Sequence, residues 1–360
     1  MGQSDKALAT ALGRLSRDKS KLVRFNLARV LAALEKPAPA LMWSLIDDFI
    51  QKESRFSVLD AGLSAMDWLW AESEAVMDRV RRITKRAAKA HPEHDIHQTL
   101  AATHLFQFLR TGRSECETYI AALIQACDTP LAVHALLPQL HALRKGGWLT
   151  FSADSVRARA WQFLSRFLTT SLGKLKQHRE AWQALHEKRT PSADEAKPVQ
   201  EKINNASRVV DGINMQLFFT SGAHSDSNEP KLDTTQTRQF WLESEPLLRA
   251  LAREIHPHTA YHLIETFEYL LPYAPREIFL LAAQSIRSAS VAGFQNESLA
   301  TGEVVKLVQR VLADHRDIFQ SAGGQESECL GALLEVLDLF VEAGWPQARQ
   351  LTHRLEEIYR

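Results

Sequence analysis

Apolar residues recur at three- and four-residue steps along nearly the whole of this chain, and strict apolar–polar alternation is almost absent. The first spacing matches the turn of an α-helix and the second the pleat of a strand, so this one feature predicts an all-α protein. In residues 22–34 the series Leu22, Phe25, Leu27, Val30, Leu31, Leu34 draws one wide stripe. Lys36-Pro37-Ala38-Pro39 stops it, because proline lacks a backbone donor and disfavours helix in the residue before it. Leu41 to Ile50 reads as the next helix and Phe56 to Trp70 as the one after. Such short helices with short breaks have the rhythm of helix-turn-helix pairs.

The rhythm changes between Glu187 and about Gln239. Lys188-Arg-Thr-Pro-Ser-Ala-Asp-Glu-Ala-Lys-Pro198 reads as a polar hinge, Val199 to Phe219 as a moderate helix, and Thr220 to Gln236 as a loop with too few apolar side chains to offset its ordering entropy. Helices resume at Phe240. Ile278 to Ile286 is apolar nearly all round, as a central helix should be. Val304 to Leu312, Leu330 to Val341 and Ala348 to Tyr359 follow, the last after a Gly344-Trp345-Pro346 corner. The expected organisation is therefore 1–187, helical repeats with a basic second half; 188–239, a polar insertion of hinge, helix and disordered loop; and 240–360, an acidic helical block.

Asp18-Lys-Ser-Lys-Leu-Val23-Arg24, leading into Phe25-Asn-Leu27-Ala28-Arg-Val30-Leu31, resembles the HEAT class of helical repeats. Asp128-Thr-Pro-Leu-Ala-Val133-His134 keeps the Asp-x4-Val spacing, and Asp154-Ser-Val156-Arg157-Ala-Arg-Ala160 keeps Val-Arg-x-x-Ala. An acid at a helix start caps free N–H groups and meets the positive end of the dipole. The resemblance implies an α-solenoid of HEAT-like antiparallel helix pairs, with the Asp and Arg pairing between neighbouring repeats. It also implies action by binding other macromolecules. An irregular helical bundle is the alternative fold. Residues 303–360 further resemble the C-terminal helical regions of large bacterial NTPase-type proteins, which leaves open a subunit in such an assembly.

Catalytic vocabulary is sparse. GxxxxGK[ST] and GxGxxG are absent, and Gly146-Gly147 and Gly323-Gly324 read as turns. Ser171-Leu-Gly-Lys174 matches SxxK without its companion motifs. His91, His94, His97 and His104 form one histidine-rich stretch; His258, His262 and Glu265 stand at i, i+4, i+7. Both read more simply as solvated or interhelical histidines than as metal ligands, so no metal, cofactor or small-molecule substrate is expected. In the HEAT-like alkylpurine DNA glycosylases an acid works among aromatics. Here Asp154 near Trp148 and Trp161 is the candidate, and it reads better as a helix cap. The chain is expected not to be an enzyme.

Formal net charge is zero, yet residues 141–189 hold ten Lys/Arg against three Asp/Glu, while residues 240–360 hold ten against seventeen. Two basic stretches follow. On one helix Arg79, Arg82 and Arg86 share a face, with Arg81, Lys85 and Lys89 on an adjoining one. Arg157, Arg159, Arg166, Lys174, Lys176 and Arg179 punctuate the aromatics Trp148, Phe151, Trp161, Phe163, Phe167 and Trp182. A solvated helix face, an acidic partner surface and a phosphate track are the three readings of such stretches. Three scattered cysteines fit a reduced setting, and no apolar run reaches the roughly 18–20 residues needed to span a bilayer. The expectation is a cytoplasmic scaffold or interaction module that binds a protein partner. A nucleic-acid-binding protein using the basic stripe at 79–89 and 144–179 is the alternative.

Overall fold

The computed structural model describes residues 3–66, 74–90, 96–188, 191–224, 232–254, 257–291, 300–320, 327–342 and 344. Among them the regular structure is helical, with no strand. The chain divides into two compact units, Met1–Gln139 and Leu140–Arg360, and the division falls inside a helix rather than in the polar stretch 188–239.

The first unit holds α1 (Gln3–Leu15), α2 (Lys21–Val30), α3 (Pro39–Lys52), α4 (Phe56–Ser64), α5 (Glu74–Ala90), α6 (Ile96–Thr111), α7 (Ser114–Gln125) and the start of α8 (Pro130–Lys145). The proline-bearing break after the first stripe is real but shifted. Leu31–Leu34 tightens into a 3-10 turn, and Pro39 opens α3 at its first position, where the missing donor costs nothing. Helices two apart in sequence pack together, α2 on α4, α4 on α6 and α3 on α5, with α5, α6 and α7 packing in succession. That is stacking by next-nearest neighbours, the signature of a helical repeat rather than of a closed bundle. Its core runs through Ala28, Leu31, Met42, Ile46, Leu59, Leu63, Val80 and Ile83. Each large apolar side chain so buried contributes about 1.5–3 kcal/mol.

The second unit continues with α9 (Asp154–Lys188), α10 (Ala193–Ser221), α11 (Thr234–Arg253), α12 (Pro257–Leu270), α13 (Pro275–Val291), α14 (Ala300–Asp314) and α15 (Glu328–Glu342). Again the layers alternate: α10, α12 and α14 pack in one row, α11, α13 and α15 in the other. Ile278, Phe279, Leu281, Ala282 and Ala283 of α13 are buried, as the all-round apolar pattern requires.

The expected polar insertion differs most from what is observed. Ala193 to Pro198 of its hinge are the start of α10, which runs from Ala193 rather than Val199 and packs along α9, while residues 189–190 lie outside the described residues. A reciprocal cap explains the early start: the Ser192 side chain accepts from the backbone of Glu195, whose carboxylate takes the Ser192 N–H. Gly222 ends α10 at φ 88°, a left-handed position where a Cβ would also lie 3.0 Å from the Tyr269 hydroxyl. Asp233 and Gln236 form a second reciprocal cap that starts α11. Residues 225–231 of the expected loop, Gly323-Gly324, and the segment Ala348 to Tyr359 with Trp345-Pro346 lie outside the described residues. No single described helix is long and apolar enough to cross a membrane.

Candidate interaction surface

The first Val-Arg pair shows how charge joins one helix to the next. Arg24, in the first turn of α2, donates through Nε to Glu53 Oε2 at 2.7 Å and through Nη2 to Oε1 at 3.3 Å. Its Nη1 meets the Asp18 carbonyl at 2.7 Å. The Asp18 carboxylate, expected to pair with arginine across repeats, instead accepts the Ser20 N–H at 2.7 Å and shapes the turn before the helix. Burial pushes the Glu53 carboxyl up, but hydrogen bonds from Arg24 and the Arg55 N–H overcome that and hold it below the ordinary range. Arg157 repeats the device at the start of α9. Its guanidinium reaches the Ser152 carbonyl at 3.4 Å, Asp154 at 2.9 Å and Glu243 of α11 at 3.0 Å.

On α5 the six basic residues separate into two groups. Arg79 lies 4.6 Å over the Trp43 ring and 3.7 Å from Asp47 of α3, and Arg86 reaches the same carboxylate at 3.4 Å. Arg81 is buried between Glu115 at 2.5 Å and Asp78 at 3.5 Å. Arg113, at the start of α7, closes that cluster through Asp78 and, at 3.1 Å, Glu74. Arg79, Arg81 and Arg86 thus tie α5 to α3 and α7. Arg82, Lys85 and Lys89 remain exposed, at i, i+3 and i+7 on one stripe.

The α9 residues form no stripe. Steps of two, seven, eight, two and three residues from Arg157 to Arg179 point the side chains round all sides of a helix. Arg166 and Lys176 are exposed, while Arg159, Lys174 and Arg179 are half-buried. Arg159, Arg166, Lys174 and Arg179 each have contacts of their own. Burial lowers the Arg179 pKa, against the pull of Glu254. The aromatics between them are divided: Trp161, Phe163 and Phe167 are core, whereas Phe151 is exposed.

Among the described residues the histidines do not assemble. His91 and His94 lie outside the described residues, as do His256 and the His258 side chain. His104 is buried, stacked on Tyr119 at 4.0 Å, with no hydrogen-bond partner on either ring nitrogen. Burial, with Arg81 adding to it, pushes its pKa down to about 4. His262 packs 4.7 Å from Phe218 and lies 3.5 Å from Glu265, whose carboxylate the Tyr261 hydroxyl also meets. No group of three metal-ligating side chains converges among the described residues. Ser171 donates to the Phe167 carbonyl inside its own helix. The acids that shape these sites, Asp47, Asp78, Glu115 and Glu243, carry no sequence motif; Asp78 meets Arg81 within α5, and the stacking of helices brings the others to the arginines.

No known protein family matches the chain, and no curated protein does. Among solved structures it is similar to the TSC2 N-terminus, at 12% identity over 93% of this chain and 100% of that one, with a TM-score of 0.24. A superposition that loose carries no argument about this chain. The class rests on its own packing: an all-α protein whose helices stack in alternating layers within each unit.

Proposed function

We propose that this chain is a non-catalytic, HEAT-like interaction module that binds an acidic surface of a protein partner. The exposed stripe Arg82, Lys85 and Lys89 on α5 is the anchor. The observation that carries the reading is the division of the basic residues on that helix. Half are matched to carboxylates of adjoining helices, so the positive stripe is bordered by Asp47, Asp78 and Glu115. A phosphate backbone laid there would meet acids as well as bases, whereas a protein surface matches mixed charge residue by residue. The scatter of the α9 cations supports the same choice.

The test compares captured partners and nucleic-acid binding for the wild type and for R82E/K85E/K89E. The expected result is a protein partner whose affinity falls roughly tenfold or more in the variant, with unchanged helical circular dichroism. Tight binding of DNA or RNA that collapses with added salt, together with no captured protein, would replace this reading by the nucleic-acid one.

A further inference from the structure

Ten large apolar side chains are exposed among the described residues, and α1, α2 and α15 carry two each. Leu22 and Val30 on α2 are 65% and 56% exposed; Leu334 and Val341 on α15 are 52% and 54% exposed. Each pair lies on one face of its helix, eight and seven residues apart, so the rows are about 12 and 10.5 Å long. Lys21 and Arg29 flank the first pair, and Glu335, Asp338 and Glu342 flank the second. The surrounding sequence has the same opposition. Residues 3–30 hold seven Lys/Arg against two Asp/Glu, and residues 327–342 hold four Asp/Glu and no Lys/Arg.

From this complementarity we propose that α15 of one copy docks on α2 of a second copy, a head-to-tail contact between molecules. The order of residues sets the orientation. A charged residue precedes each apolar residue on α2 and follows it on α15. Two helices meeting face to face in parallel therefore bring the charged rows to the same side, as in a parallel coiled coil. Leu22 then opposes Leu334 and Asn26 opposes Asp338, with Lys21 beside Glu335, and the one-residue difference in spacing brings Arg29 and Val30 together against Val341 and Glu342. Glu335 already meets Arg287, and that pair is exposed enough to rearrange at little cost. Because the two faces are different, each docked pair leaves one face of each kind unused, and copies add in series. This contact is independent of the α5 stripe, so partner capture and self-association succeed or fail separately.

Sedimentation velocity of the full chain over a concentration series, at low and high salt, tests it. The expected result is association that grows with concentration and weakens as salt shortens the screening length. L22E and V341K each remain monomeric alone, since their substitutions face like charge. Mixed in equal amounts they form a one-to-one dimer and nothing larger, because one good face of each kind survives. The charge reversal K21E/R29E abolishes assembly, and adding E335K/D338K/E342K restores it. A wild type that stays monomeric at every concentration, or assembly that L22E and V341K leave intact, would overturn the proposal. So would a mixture of the two that does not dimerise.

Discussion

His104 is a histidine that does not titrate at neutral pH. Its folded pKa of about 4 lies below the ordinary 6.5, so between those values the unfolded chain binds more protons than the folded one. Stability is complete above pH 6.5 and falls as pH is lowered towards 4. By the size of the shift, the contribution lost is about 3 kcal/mol. H104F keeps the ring against Tyr119 and removes two buried nitrogens with no hydrogen-bond partner. We expect it to be more stable by about 1 kcal/mol at pH 7 and to flatten the acid slope. Urea unfolding at pH 7, 6, 5 and 4.5 reads both, and an unchanged slope would refute the assignment. The sequence placed this histidine in a candidate cluster with His91, His94 and His97. What it does not carry is depth: nothing in His104-Leu-Phe distinguishes a ring at the surface from one under Tyr119.

At the scale of elements, helix existence was legible and helix ends were not. The stripes from Leu22, Leu41, Ile278 and Leu330 all lie in helices, because periodicity reports the buried face directly. Ends depend on caps and on neighbours. The stretch before Val199 reads as hinge by composition, yet the Ser192–Glu195 cap and the α9 surface make it helix, although Pro198, its sixth residue, removes one backbone hydrogen bond. Interhelical arginine pairs were legible at one partner only. Val-Arg marked Arg24 and Arg157, while Glu53 and Glu243 lie 29 and 86 residues away. Arg24 and Glu53 are both largely buried, so E53Q leaves a guanidinium without its counter-charge between α2 and α3. That loss should cost about 3 kcal/mol in urea unfolding. R24M/E53L, which removes both charges, should cost clearly less. Equal losses in the two variants would mean that shape, not charge pairing, joins these helices.

For the molecule as a whole, stacking by neighbours means that stability is assembled locally. Destabilisation should stay near its origin. Native-state hydrogen exchange on E53Q should show faster exchange in α2, α3 and α4, with amides of α11 to α13 unchanged. Uniform acceleration along the chain would show that the units unfold as one. The same architecture explains why sequence revealed an all-α repeat but not a working surface. Periodicity records which side of each helix is buried. Whether Arg81 faces Glu115 or solvent depends on which helix comes next to it.

The hairpin of α9 and α10 is longer than its neighbours need. Its helices have 35 and 29 residues, and no described side chain between Arg179 and Asn205 is buried. By helical rise, some 14–18 Å of each helix lies past the last buried residue, beside its antiparallel mate. A two-rod arm of that kind is separable from the layers that hold its base. Residues can be added at its turn, turn by turn, and the growth would alter what the protein can reach while leaving what keeps it folded as it was.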